Sequence, residues 1–203
     1  SELPTSMKRT IIEECVVTNG KNGIHINQGN VEILISKTEV RANSENGIRN
    51  YGYDNYFSNL DINYNKSYGI VEYGGNNKWS NIKVWFNGAG GLNLACNCCQ
   101  FTNIESQENY GDGYYLANCK HTVLVNCVSD NDGLKSYSES SLSNYGFNFA
   151  YTLHNIICKE CYVKSFRIPL SYKAPYIFRD AKSLYIDIKY DKSSGFDIFS
   201  KFC

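Results

Sequence analysis

Proline occurs only three times and methionine once in 203 residues, while Gly, Asn, Ser and Tyr are plentiful. That balance favours turns and strands over helices. No stretch approaches the eighteen consecutive apolar residues of a membrane-spanning helix, so no membrane insertion is expected. Net charge is missing too: 20 Lys and Arg face 20 Asp and Glu, with no basic run, which discounts nucleic acid and anionic membrane as partners. The opening, SELPTSMKRT, lacks the apolar segment of a secretory signal, and residues 1–10 read as a tail or linker of a soluble chain. Nine cysteines form an odd set in a chain too large to need staples. Several sit beside apolar strand residues, so most are expected to be free thiols, implying assembly in a reducing cytoplasm.

What is present in abundance is a repeat. Asn43, Asn65, Asn87 and Asn109 recur every 22 residues, each four residues before Gly47, Gly69, Gly91 and Gly113, and a 24-residue step back finds Asn19 with Gly23. After each Gly the apolar residues alternate, clearest in GLNLA, GYYLA and GFNFA at 91, 113 and 146. A second strand follows about thirteen residues later, with Leu60 and Ile62, Ile82 and Val84, then Ile104 and Ser106 in one register. A period of 22 is too short for a helical pair and predicts stacked coils that bury one another's apolar face. The fold expected is all-β, a right-handed parallel β-helix of about 22-residue coils over 11–167.

The ruler breaks after Asn131. The next matching glycine is Gly146, so 132–145 hold an inserted loop of eleven extra residues, where solenoids often place function. Just before it, VLVNCVSDN is ambiguous by one residue, and the reading that buries Val125 and Cys127 rather than Asn126 and Val128 avoids an unpaired inward amide. Register fades at Pro169 and Pro175, leaving 168–203 as irregular coils or a cap.

Stacked coils turn sequence spacing into distance, because equivalent residues lie on strands about 4.8 Å apart. The column Asn43, Asn65, Asn87, Asn109, Asn131 reads as a structural ladder of amides. One position earlier runs Tyr64, Phe86, Glu108, Asp130, and beside it Asn63, Trp85, Gln107, Ser129, so aromatics grade into acids along one surface. Equivalent placement would bring Glu108 and Asp130 near the roughly 5 Å separation of a retaining glycosidase pair, one protonating the leaving oxygen while the other attacks. Asp112 and Asp132 are further candidate acids; Trp85, Tyr64, Gln107 and the loop residue Tyr137 are candidate sugar contacts. The structural alternative is turn acids on a solvated face. Asp61, Lys83 and Glu105 form a column that alternates in sign and reads as surface charge. Cys158 and Cys161, three apart on a strand, are expected to face opposite sides, so no zinc site and no cofactor are expected. Arg49 and Lys135 are isolated bases.

At these residues the sequence resembles the right-handed parallel β-helices of the pectin lyase-like superfamily, with Asn-rich, loop-decorated coils similar to those of bacteriophage tailspikes. The resemblance implies a polysaccharide partner, a homotrimer in the phage case, a virion or extracellular setting, and hydrolase or lyase chemistry where the module is catalytic. The Gly-His-Gly motif of polygalacturonase-type members and the signatures of alginate epimerases are absent. A purely structural or adhesive spike segment is the other reading.

Overall fold

The structure, a computed structural model, describes residues 9–133, 145–164, 176–178 and 181–190. The chain winds as a parallel β-solenoid whose coils alternate between two sheets. One, the straight sheet, stacks the seven strands Ile24–Ile26, Ile48–Asn50, Tyr68–Glu72, Gly90–Leu94, Tyr114–Ala117, Phe147–Ala150 and Tyr176–Phe178. The other, the bent sheet, is built on Tyr56–Asn63, Lys78–Trp85, Gln100–Gln107 and Leu153–Lys164, with shorter strands completing it at both ends. Every strand pairing given for the two sheets is between successive coils and parallel, as in Leu60↔Ile82↔Ile104 and Leu92↔Tyr114↔Phe147.

Alternation decides which side chains fill the tube. Ile62, Val84, Leu92, Leu94 and Leu116 are fully buried, and each such side chain contributes about 1.5–3 kcal/mol relative to exposure. Aromatics stack in the same way: Trp79 lies 3.6 Å from Phe57 and 6.2 Å from Phe101, and Tyr114 lies 4.5 Å from Phe147. The spacing of Asn-x-x-x-Gly has a steric cause. A Cβ on Gly91 would stand 2.2 Å from Ser106 Oγ and 2.5 Å from the Gly113 carbonyl, so only glycine fits where the chain enters the straight sheet.

Besides Glu32, Asp54, Asn76, Cys98 and His121, with φ of 51–58°, two columns of left-handed residues shape each coil. Asn59, Asn81, Asn103, Asn126 and Asn155, with φ of 50–54°, kink the bent sheet, and Asn tolerates that region. Their exposed amides bond in series, Asn81 to Asn59, Asn103 to Asn81 and Asn126 to Asn103. The second column, Ala42, Tyr64, Phe86, Glu108 and Asn131, turns the chain out of the bent sheet at φ of 50–55°. Each residue after that corner points inward. There Asn43, Asn65, Asn87 and Asn109 form the expected ladder: the Oδ1 of Asn65, Asn87 and Asn109 each accepts both the backbone N–H and the Nδ2 of the rung before it at 2.8–3.1 Å, and that of Asn43 accepts the Gly20 N–H.

The last described rung differs from the expectation. Leu94 pairs with Leu116 at a 22-residue step, but Asn97 pairs with Lys120 at 23, so one extra residue enters this coil. The ladder therefore passes from Asn109 to Asp132, whose Oδ1 accepts from the Asn109 N–H and Nδ2, both at 2.9 Å, and Asn131 sits at the corner instead. The ambiguous strand resolves in part as read. Cys127 is buried, but its inward companion is Leu124 and not Val125, because left-handed Asn126 lets residues three apart face one side. Cys158 and Cys161 likewise both face inward, across a register shift at left-handed Glu160.

Candidate functional site

The corner leaving the bent sheet gathers most of the residues singled out by spacing. Register sets Asn63, Trp85, Gln107 and Asp130 in one row. The adjoining left-handed column carries Tyr64, Phe86, Glu108 and Asn131. A left-handed residue at the end of a strand swings its side chain off the sheet's alternation, which brings both rows to the surface except at the buried Asn63. Tyr64 is 56% exposed, while Trp85 and Phe86 are half-buried.

These three rings form one cluster. Tyr64 stacks on Phe86 at 5.4 Å and meets Trp85 edge-on at 5.1 Å, and Trp85 meets Phe86 edge-on at 5.5 Å. Trp85 is fixed from the side as well: its Nε1 donates to Asp61 Oδ1 at 2.5 Å, and Lys83 Nζ lies 5.7 Å from its ring centroid. The result is a held aromatic surface. Beside it a cavity of about 390 Å³ is lined by Ala42, Ser44, Tyr64 and Lys66 together with Asn19 and Gly20. A second, open groove of about 610 Å³ follows the kink of the bent sheet, between the exposed Asn59, Asn81 and Asn103 and the charge column Asp61, Lys83, Glu105.

The acids separate in a way that spacing alone concealed. Glu108 and Asp130 lie on neighbouring coils, the Glu108 N–H donating to the Asp130 carbonyl at 2.9 Å. They do not occupy equivalent places: the extra residue pairs Asp130 with Gln107 and puts Asn131 beside Glu108, where its Nδ2 donates to Glu108 Oε1 at 3.2 Å. Both are half-buried. Asp132 is core, 5% exposed, its Oδ2 taking the Ser129 hydroxyl at 2.6 Å. Burial pushes its pKa up to about 6, against the pull of the Ser129 and Asn109 bonds. Asp112 sits at the edge of the straight sheet and accepts from Asn148 Nδ2 at 2.8 Å and from the Tyr145 N–H. Tyr137 lies outside the described residues.

Sequence reasoning missed a second buried acid. Glu72 is 0% exposed, its Oε1 accepting from the Gly74 N–H at 2.6 Å and Asn77 Nδ2 at 3.1 Å, its Oε2 from Asn50 Nδ2 at 2.9 Å and Trp79 Nε1 at 2.8 Å. Burial pushes this carboxyl up to about 7, while those four donors pull it down. It anchors a second, shorter amide ladder in which Asn55 Oδ1 and Asn77 Oδ1 accept from the Ile33 and Asn55 N–H groups. The 22-residue steps from Asn50 to Glu72 and from Asn55 to Asn77 were visible signals for both.

No protein-family model matches the sequence, and no curated protein matches it. Among solved structures, the tailspike protein described as Dettilon tailspike aligns over 90% of this chain with a TM-score of 0.60 and 13% identity. The enzymatically active domain of tailspike protein 2 from bacteriophage CBA120 aligns over 89% with a TM-score of 0.57, again at 13% identity. The chain spans only 41% and 26% of those two proteins' lengths. At that identity the likeness is one of architecture, and what it establishes is that this chain has the parallel β-helix fold also seen in phage tailspikes.

Proposed function

We propose that this chain is a glycan-engaging module of a phage tail or other extracellular surface protein, holding a polysaccharide against the corner formed by Tyr64, Trp85 and Phe86. The observation that carries this reading is the ring cluster itself. Three aromatics held at the surface, one of them with its indole N–H tied to Asp61, offer faces on which sugar rings stack at little further entropic cost. Gln107 and Asp130 continue the Trp85 row with groups that bond hydroxyls, and Lys66 and Ser44 line the cavity on the other side of Tyr64. The likeness to tailspikes supports a virion or extracellular setting, and a homotrimer is part of the same proposal.

Cleavage is the second reading, favoured by the two acids on adjacent coils. Glu108 and Asp130 flank the end of the aromatic surface, where one would protonate a glycosidic oxygen and the other attack or activate water. Asp112 belongs to the other sheet and Asp132 to the core ladder, so neither is needed. A panel of capsular and acidic plant polysaccharides, read by affinity, reducing ends and unsaturated-product absorbance, separates the readings. For a binding module, Trp85→Ala weakens affinity about tenfold or more, while Glu108→Gln and Asp130→Asn change little and no product is released. For a hydrolase, either acid variant lowers turnover by orders of magnitude and Trp85→Ala acts mainly on binding. Unchanged glycan affinity in a folded Trp85→Ala protein refutes this site.

A further inference from the structure

The outward face of the straight sheet holds polar groups that the corner site leaves unused. Register aligns His25, Arg49, Val71, Asn93, Tyr115 and Asn148 in one row across six coils. Arg49 is half-buried, its Nε donating to the Tyr51 hydroxyl at 2.9 Å and its guanidinium carbon 5.1 Å from the Tyr51 ring centroid. Among the described residues no carboxylate lies within ion-pair distance of it; the ion pairs found there use other cations. The Arg49 Nη2 also donates to the Tyr51 hydroxyl, so the phenol takes the Nε–Nη2 edge, and the Nη1–Nη2 end, with no acid on it among the described residues, is left for a carboxylate.

The rest of the row has matching chemistry. Tyr51 lies 5.4 Å from Tyr73, whose hydroxyl accepts from Asn93 Nδ2 at 3.5 Å. Further along, Asp112 holds Asn148 by its Nδ2. The Asn148 Oδ1 is buried and has no hydrogen-bond partner among the described residues, in a side chain 5% exposed. That atom is closed to solvent, so the acceptor this end offers a ligand is the half-buried Asp112. One end of the face therefore lacks an anion and the other carries an acceptor for hydroxyls. Four coil steps separate Arg49 from Asn148, about 19 Å at the strand spacing, a span for several sugar rings.

We infer that this face is a second carbohydrate-binding surface, taking one strand of an anionic glycan along the solenoid axis with a carboxylate at Arg49, ring faces on Tyr51 and Tyr73, and hydroxyls at Asp112. The inference rests on the reading that the chain engages a glycan, but at a different place from the Trp85 corner. A balanced net charge and a single cation argue against nucleic acid, and one apolar residue in the row, Val71, argues against a self-complementary subunit contact.

The test is titration calorimetry in the Trp85→Ala protein, which removes the corner site, with oligogalacturonate and oligosialate and with their carboxyl-reduced forms. At least one acidic oligomer should still bind. Arg49→Gln should weaken it about tenfold or more and leave the reduced form unaffected, with Arg49→Lys intermediate because charge survives and the fork does not. Tyr73→Ala should weaken acidic and reduced forms alike by a few fold. Unfolding midpoints of all variants must match the parent; if Arg49→Gln is unstable, the Tyr73→Ala result decides. Binding lost in Trp85→Ala alone, or untouched by both Arg49→Gln and Tyr73→Ala, overturns the second face and leaves the corner proposal standing. Failure of the acidic oligomers to bind overturns it too, and failure of every glycan removes both proposals. A dimer seen by light scattering and dissociated by Arg49→Gln would make the face a subunit contact instead.

Discussion

Two buried carboxyls with opposite surroundings show how neighbours decide what an acid can become. All four groups bonded to Glu72 are donors, two on each oxygen, so an amide there must turn an NH₂ against two N–H groups. Glu72→Gln should therefore destabilise by about 2–3 kcal/mol, read as a lower denaturation midpoint at pH 7. Asp132 differs because its Oδ2 meets a hydroxyl, which can accept as readily as donate. Asp132→Asn keeps the Asn109 bonds and converts the rung to the type used four coils in succession. The pH sign follows from burial: a folded pKa raised from 3.8 to about 6 means that the unfolded chain loses its proton first. The contribution from this group is full below about pH 4 and lost as pH rises through 6. Asp132→Asn should flatten that decline and stabilise the fold above pH 6 by on the order of 2–3 kcal/mol. Equal midpoints for both proteins from pH 4 to pH 7.5 would contradict it.

The ladder behaves as a unit with direction. Each Asn accepts two bonds from the preceding rung and passes its own Nδ2 to the next, so an interior rung must both accept and donate. Asn87→Ala leaves the Asn65 N–H and Nδ2 without their acceptor in the core and should cost about 3 kcal/mol or more, measured by urea denaturation. Asn87→Asp should be no better, since a second oxygen would face the Ile62 carbonyl and Asn109 Oδ1. An acid is accommodated at Asp132 because its Oδ2 accepts the Ser129 hydroxyl.

Across the whole molecule, thiols mark the continuity of the core. Strict 22-residue stepping stacks no two cysteines, but coils of 23 and 34 residues put Cys96 against Cys119 and Cys127 against Cys161, the Cys119 and Cys161 thiols donating to the Leu94 and Leu124 carbonyls. The eight described cysteines are free, Cys15 and Cys98 exposed and six buried. Burial pushes the Cys96 and Cys127 thiols up, which keeps them protonated and slow to react. Brief alkylation of the native protein should label Cys15 and Cys98 first. The other six span successive coils of one core cluster, so they should become reactive at a single denaturant midpoint. Earlier exposure of Cys158 and Cys161 would show that coil fraying apart from its neighbours.

The sequence by itself determined the coil, because period, alternation and the glycine after each Asn are local consequences of a repeated steric need. Trp85, Tyr64 and Gln107 fall on one surface for the same reason: between residues 43 and 109 the step never departs from 22. Only the tertiary structure decided where that count fails. One extra residue near Asn118 moved Asp130 beside Gln107, put Asn131 next to Glu108 and sent Asp132 into the core, since hydrogen bonds between coils select register by pairing and not by number. Left-handed residues decided the rest: Asn126 and Glu160 break the alternation that a strand pattern assumes, so side chains three apart share a face. Arg49 looked isolated for a related reason. Its phenol partner is two residues away, but the Tyr73, Asn93 and Asn148 that give it context come from other coils, and only the stacking of the sheet brings them into one row.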